Sequence, residues 1–147
     1  MGMQQILLIV LSVIIVGAAV AVGITMFSTQ AVNANRSAVL MDLNTFGAAA
    51  IAYYKTPTDQ GGGGHSFEAS CDSVGYYLAN NYSTTGKTIT NDNGDVYTLS
   101  IDGDNLKIVG VGTEKGRSTV VGCGDRVGGT MTIDPEASDP LVLTLTN

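Results

Sequence analysis

The chain is poor in the residue types that most metal and catalytic sites require. Its 147 residues include two cysteines, one histidine and no tryptophan. Cys71 and Cys123 are far apart, which excludes a cysteine-rich zinc site and the common haem and iron–sulfur spacings. His65 follows four glycines, whereas a general base needs a rigid frame and a partnered nucleophile. We therefore expect no cofactor, no metal, no catalytic residue and no enzymatic activity.

Charge is scarce and unevenly placed. Only 14% of the residues are charged, against about 25% in a typical soluble domain, and the formal net charge is -6. No basic stripe exists, so the charge pattern predicts no nucleic-acid partner, because neutralising phosphates requires clustered Lys and Arg. Arg36 is the single charge among residues 1–41, and all the others lie from Asp42 onward. The chain therefore has an apolar N-terminal third and a polar, acidic remainder.

Residues 6–27 form an uninterrupted apolar run, ILLIVLSVIIVGAAVAVGITMF. As a helix this run extends roughly 33 Å, which is enough to cross the hydrocarbon core of a bilayer. A cleaved secretory signal is the alternative, but its apolar core usually has about 7–15 residues and follows a basic residue, and none precedes this run. We expect residues 1–27 to form a transmembrane helix.

The helical pattern continues beyond the apolar run. Residues 28–56 carry apolar side chains at steps of three, four or seven, the stripe of an amphipathic helix. Pro57 and the glycines at 61–64 then end the helix, and the glycines are expected to form a flexible link to a head of residues 57–147. The sequence thus predicts one helix of about 50 residues, roughly 75 Å long. Its stripe consists of Val32, Val39, Leu43, Phe46, Ala50 and Tyr53.

The head has the period-two alternation of β-strands. A strand at 96–101, a turn at 102–105 and a return strand at 106–111 predict a hairpin. Three more strands are expected at 118–123, 130–133 and 141–146. Five short strands with glycine-rich turns favour an antiparallel sheet with one face on the helix stripe. The predicted fold class is α+β: a long N-terminal helix, apolar in its first half and amphipathic in its second, packed against a small antiparallel β-sheet head.

Cys71 and Cys123 are expected to form a disulfide. A membrane-anchored head outside the cytoplasm lies in an oxidising compartment, and two cysteines pair in only one way. Closing this loop stabilises the fold by about 4 kcal/mol in the chain-entropy model. The alternative is two buried free thiols.

Two further motifs have simple explanations. Residues 91–95 (Asn-Asp-Asn-Gly-Asp) resemble the start of a calcium loop, but Asp102 stands where the bidentate Glu is needed. Turn chemistry explains this segment, and a weak cation site is the alternative. Residues 35–37 (Asn-Arg-Ser) and 81–83 (Asn-Tyr-Ser) match the N-glycosylation acceptor pattern. Two matches in a chain rich in Asn, Ser and Thr are close to chance, so plain surface residues are expected.

In its order of segments the chain resembles a type IV pilin or a related pilin-like filament subunit. The resemblance rests on the apolar run 6–27, its amphipathic continuation 28–54, the glycine-rich link 61–64 and a β-rich head with one cysteine pair. In that family the apolar half anchors the subunit in the membrane and then packs with its copies in the filament core. The resemblance implies an extracellular, pilus-like helical filament. The implied partners are copies of this chain, the inner or cytoplasmic membrane before assembly, and the pilus assembly machinery.

The chain departs from the family pattern at its N-terminus. No charged residue precedes the apolar run, and Gly2-Met3 would be the cut site of a two-residue leader. If Met1 is instead the first mature residue, Gln5 stands in place of the family glutamate. A glutamine accepts a hydrogen bond from a neighbouring N-terminal amine but makes no ion pair. The predicted assembly residues are Gln5, Ile6, Leu7, Val10, Ile14, Gly17, Ala21 and Gly23. The predicted core between helix and head contains Val39, Leu43, Phe46 and Tyr53.

Two other functions remain open from the sequence. One is a single-pass membrane-anchored protein whose head binds a ligand or partner. The other is a pseudopilin of a secretion system, which forms only a short assembly. Small residues such as Gly17 and Ala21 favour a repeating assembly, because they let helices approach closely.

Overall fold

The computed structural model describes residues 2–67, 70–116 and 125–146. Helix α1 spans Met3–Lys55, which confirms the predicted long N-terminal helix. Its sequence has no proline and only three glycines, so nothing within it breaks the hydrogen-bonding pattern. The chain divides into two compact units between Ala34 and Asn35, inside this helix. The first unit consists of helix alone, and the second contains the rest of α1 and the sheet.

The second unit adds two short helices and a five-stranded sheet. All neighbouring strands are antiparallel and their order follows the chain, as the α+β prediction requires. The two-residue turn between Asp102 and Asn105 closes the predicted hairpin. The elements are a 3-10 helix Thr58–Gln60, α2 Cys71–Leu78, β1 Thr88–Thr90, β2 Val96–Asp102, β3 Asn105–Lys115, β4 Arg126–Ile133 and β5 Leu141–Thr146.

Two elements of the head differ from the predicted pattern. Neither helix α2 nor strand β1 was predicted, because the sequence pattern indicated only strands in the head and placed none before residue 96. Ser70 caps α2, because its hydroxyl accepts a hydrogen bond from the N–H of Ser73 at 3.2 Å. Gly75 lies so close to the ring of Tyr82 that an added Cβ would be 2.3 Å from it. The predicted strand at 118–123 lies outside the described residues.

The glycines at 61–64 bond to the end of α1, in contrast to the expected flexible link. The N–H of Gly63 donates to the carbonyl of Tyr53 at 2.9 Å, and the N–H of His65 donates to the carbonyl of Tyr54 at 2.8 Å. These bonds satisfy carbonyl groups that a helix end leaves without partners. The segment is therefore a C-terminal cap that fixes where the chain leaves the helix.

The core of the second unit lies between α1 and one face of the sheet. Two paired glycines, Gly110 on β3 and Gly129 on β4, let the helix approach closely. An added Cβ on Gly110 would lie 3.1 Å from Val39, and one on Gly129 would lie 3.0 Å from Leu43. Burying these side chains supplies the main favourable free energy of folding. The sheet side of this core includes Tyr97, Leu99, Leu106, Ile108, Met131 and Ile133.

Candidate functional site

The N-terminal part of α1 presents its apolar side chains to the surroundings. Leu11 is the least exposed large apolar side chain between Met3 and Phe27, and 49% of its surface is still accessible. The helix is long and apolar enough to cross a membrane, and none of its most apolar window is buried within the chain. The predicted assembly residues all lie in this exposed segment: Gln5, Ile6, Leu7, Val10, Ile14, Gly17, Ala21 and Gly23.

Most of these assembly positions share one face of the helix. Ile6, Val10, Gly17 and Ala21 are separated by multiples of about one turn and so form a continuous stripe. Gly23 lies away from this stripe. In this stripe the small residues Gly17 and Ala21 come after the β-branched Ile6 and Val10. Small residues let a neighbouring helix approach closely.

Gly17 and Gly23 make no close contact with the rest of the described residues that would require a glycine. No atom outside the local helix lies within 4 Å of a Cβ built at either position. A glycine in a helix interior costs about 1 kcal/mol relative to alanine. Neither glycine is thus explained by packing within the described residues, and both positions leave room for another chain.

The hydroxyl groups of the apolar segment are satisfied locally. Ser12 donates to the carbonyl of Ile9 and Thr25 donates to the carbonyl of Val22, each at 2.8 Å. Hydroxyl groups bonded in this way do not need water or another polar partner. The segment is therefore suited to an apolar environment of either lipid or protein.

The predicted core residues of the second half of α1 lie in or beside the core. Val39, Leu43 and Tyr53 are buried, and Phe46 is partly buried. The ring of Phe46 packs edge to face on the ring of Tyr97, with 5.0 Å between their centroids. The second half of α1 is thus covered by the head, whereas the large apolar side chains from Met3 to Phe27 are exposed.

A buried carboxylate joins α1 to the sheet. Asp95 is fully buried, and its Oδ1 accepts hydrogen bonds from Nδ2 of Asn35 and from the N–H of Thr113, each at 3.0 Å. Its Oδ2 accepts from Nδ2 of Asn91 at 3.0 Å. Bonds to a charged acceptor are stronger than neutral ones and offset the cost of burial. The carboxylate therefore links the helix, the turn before β2 and strand β3.

A second carboxylate extends this network. Oδ2 of Asp42 accepts hydrogen bonds from Nδ2 of Asn91 at 2.8 Å and from the hydroxyl of Tyr97 at 2.7 Å. Burial and the hydrogen bond to Asp42 raise the pKa of the Tyr97 hydroxyl well above its ordinary value. We call the five side chains Asn35, Asp42, Asn91, Asp95 and Tyr97 the helix–sheet network.

The calcium-like segment 91–95 forms a turn within this network. The side-chain oxygen of Asn91 accepts from the N–H of Asp95 at 2.8 Å, which is the turn chemistry expected of such sequences. Among the described residues, no group of three or more His, Cys, Asp or Glu side chains is arranged to hold a metal ion. The carboxylate of Asp95 instead accepts hydrogen bonds from protein donors, and Asp92 is exposed.

Sequence patterns did not single out the helix–sheet network. The bonded pair Asn35 and Asp95 is 60 positions apart, so no local periodicity reveals it. One signal was present: Asn35 and Asp42 are seven positions apart on α1, flanking the buried Val39. Polar side chains at helical spacing beside an apolar stripe indicate partners on the facing sheet.

The disulfide prediction involves a residue outside the described part of the chain. Cys71 is buried at the start of α2, with 7% of its surface exposed. Cys123 lies outside the described residues, so the pairing of Cys71 with Cys123 stays a prediction.

Comparisons of the chain with protein-family models, with curated proteins and with solved structures found no match. The long apolar helix and the small antiparallel sheet are compatible with a pilin-like fold. This arrangement, together with the exposed apolar segment, is the basis for a functional proposal.

Proposed function

We propose that this chain is the structural subunit of an extracellular, pilus-like helical filament, assembled through the apolar part of α1. One observation carries the proposal. The sheet covers the helix at residues such as Val39 and Leu43, but large apolar side chains from Met3 to Phe27 are exposed. Exposing this much apolar surface to water is costly, so another apolar surface must cover it.

Copies of the chain are the partner that this surface fits best. Gly17 and Gly23 permit close approach of a neighbouring helix and have no packing role within the described chain. Many parallel copies bury the segment on all sides, which accounts for a helix that is apolar around its whole circumference. The head then forms the outer surface of the filament, and its acidic character keeps that surface soluble.

Before assembly the same segment resides in the membrane. Its hydroxyl groups are bonded to its own backbone, as lipid requires. Extraction from the membrane into a filament exchanges lipid contacts for helix contacts and needs an assembly machinery. The proposed partners are therefore the membrane, that machinery and other copies of the chain.

A single-pass membrane-anchored binding protein is the second candidate. The length and apolar composition of the segment favour it equally well. A pseudopilin of a secretion system would differ from the leading proposal only in the length of its assembly. Filament length and the role of residues 1–27 separate these functions.

Electron microscopy of material sheared from the cell surface tests the proposal. Long filaments that contain this subunit are the expected result. A truncated chain that begins at Ser28 provides the control, and it should be soluble and should not polymerise. Absence of filaments, with the full chain recovered only from membranes, would favour the membrane-anchored protein. Filaments of the truncated chain would show that the apolar segment is only an anchor.

A further inference from the structure

Two segments of the chain match the N-glycosylation acceptor pattern, and the structure distinguishes them. Residues 35–37 belong to α1, whereas residues 81–83 lie between α2 and β1. An acceptor asparagine needs a side-chain amide that a transferase can reach and a hydroxyl residue two positions later.

The amide of Asn35 is fully used in the helix–sheet network. Its Nδ2 donates one hydrogen to Asp95 at 3.0 Å and the other to the hydroxyl of Thr113 at 3.4 Å. Its Oδ1 accepts from the N–H of Glu114 at 3.3 Å. A sugar on Nδ2 would replace one of these hydrogens and would have to fit beside Gly112. The space there is too small, because even a Cβ added to Gly112 would lie 2.2 Å from Oδ1 of Asn35. The folded structure therefore excludes Asn35 as an acceptor.

The amide of Asn81 is placed differently. Its side chain is exposed, and its Nδ2 donates to the backbone carbonyl of Thr90. A glycosylated asparagine is a secondary amide and keeps one N–H. The remaining hydrogen can maintain the bond to Thr90 while the sugar occupies the solvent side.

Tyr82 holds this acceptor segment in place. Its ring is buried over Gly75, and its hydroxyl donates to Asp72 at 2.9 Å. With the middle residue anchored inward, the flanking Asn81 and Ser83 are both exposed. The backbone of Ser83 is also fixed, because it exchanges two hydrogen bonds with Thr88, at 2.8 and 3.1 Å.

An exposed aromatic ring adjoins the acceptor segment. Tyr76 packs edge to face on Tyr82 with 5.4 Å between ring centroids, and 57% of its surface is exposed. A large exposed aromatic surface beside the acceptor offers a face that a sugar ring can cover.

We propose that Asn81 is the attachment site of an N-linked saccharide and that Asn35 is not. This inference rests on the proposed function, because it needs the head to lie outside the cytoplasm. The donor is a saccharide on a lipid pyrophosphate. The Asn81 nitrogen bonds to the anomeric carbon and loses one proton to the transferase, the anomeric C–O bond breaks, and the lipid pyrophosphate leaves. The exchange involves no oxidation or reduction.

Mass mapping of the full chain isolated from its own cells tests this proposal. Trypsin cleaves after Lys55 and Lys87, so the peptide 56–87 carries Asn81 and no second match to the acceptor pattern. We expect this peptide to be shifted in mass by a saccharide, and the shift to disappear in Asn81→Gln and Ser83→Ala. Ser83→Thr should restore it, and Ser37→Ala, which removes only the other pattern, should leave it unchanged.

Three results would overturn the proposal: an unmodified peptide 56–87, a saccharide on Asn35, or a mass shift that persists in Asn81→Gln. The last result would place the sugar on a hydroxyl group. The test is independent of filament formation. A modified chain found only in membranes would contradict the filament proposal and support saccharide attachment at Asn81. Unmodified filaments would support the filament proposal and contradict saccharide attachment at Asn81.

Discussion

The hydroxyl of Tyr97, on β2, donates a 2.7 Å hydrogen bond to the carboxylate of Asp42, on the long helix. Asn91 bonds to the same carboxylate and also to Asp95, so the two acidic side chains share one amide donor. Buried polar groups are costly unless every bond is made, so this network favours one register of the helix on the sheet. Shifting the helix by one residue would break several of these bonds together.

The Tyr97 hydroxyl makes stability sensitive to alkaline pH. Its pKa is raised in the folded chain, whereas the unfolded side chain titrates near its ordinary value of about 10. Above that pH the unfolded state loses a proton that the folded state keeps, so the free energy of unfolding should fall as pH rises further. Tyr82, hydrogen-bonded to Asp72, should act in the same direction.

Urea denaturation of the full chain in detergent, between pH 8 and pH 11, measures this effect. Tyr97→Phe should reduce, but not remove, the fall in the free energy of unfolding at alkaline pH, because Tyr82 remains. A variant with the same alkaline slope as the original chain would show that Tyr97 does not carry the effect.

Asp95 should be the most sensitive acidic residue of the turn before β2. Asp95→Asn replaces one carboxylate oxygen, which accepts hydrogen bonds, by an NH2 group, which only donates them. This NH2 group would face the N–H donors of Asn35 and Thr113 or that of Asn91. We expect a loss of about 1–3 kcal/mol in the free energy of unfolding. Asp92→Asn is the matched control, because Asp92 is exposed in the same turn, and it should change stability by less than about 0.5 kcal/mol. Equal effects of the two variants would contradict the role given to the network.

The parts of the fold that follow from local periodicity were predicted from sequence. The helix, the hairpin at Asp102 and the antiparallel sheet were of this kind. Helix α2 was missed because its eight residues contain glycine and adjacent tyrosines, and its stability depends on Val74 being buried by distant residues. The three-residue strand β1 was missed because so short a segment shows no clear alternation.

The candidate site was predicted to different degrees in its two parts. The exposed segment of α1 was visible as a continuous apolar run, because every residue contributes to that pattern. The bonds that join the helix to the sheet were not, because they connect residues that the fold brings together from distant positions, as with Asp42 and Tyr97. Only the local bonds between Asn91 and Asp95 follow from turn chemistry. The seven-residue spacing of Asn35 and Asp42 on α1 indicates polar partners on the facing sheet, but no periodicity identifies which residues those partners are.

The glycine pair beneath the helix provides a test of close packing. Gly129→Val places a branched side chain where a Cβ alone would be 3.0 Å from Leu43 and 3.4 Å from Leu145. Overpacking of this kind should destabilise the head by about 1–3 kcal/mol. Thr130→Val adds no volume at the helix face and should be nearly neutral, because Thr130 is the next residue on β4 and faces the other side of the sheet. Thermal melting of both variants measures the difference in stability. If Gly129→Val melts at the same temperature as the original chain, the helix does not pack closely against Gly129.

The cysteine pairing is testable by mass mapping without reduction. We expect a single species in which the tryptic peptide that contains Cys71 is linked to the peptide that contains Cys123. Reduction should lower stability by about 4 kcal/mol if loop closure in the unfolded chain is the main effect. Two cysteines that both react with an alkylating agent in extracellular protein would contradict the pairing and the oxidising location on which it depends.

Gly17 provides the sharpest test of assembly through the apolar helix. Gly17→Leu keeps the segment apolar and improves its helix propensity, so membrane insertion should be intact. In a packed filament core the added side chain would meet a neighbouring helix. Overpacking of about 1–3 kcal/mol per subunit weakens the association constant at least about fivefold, so filament yield should fall or the helical symmetry should change. Ala19→Leu is the matched comparison, because it adds a similar side chain about 200° away around the helix. That face is also buried in the proposed core, so a smaller effect there would assign the closest contact to the Gly17 face. Membrane fractionation and electron microscopy of both variants separate insertion from assembly. Normal insertion with filaments of unchanged yield and symmetry in Gly17→Leu would show that this face makes no close contact between copies.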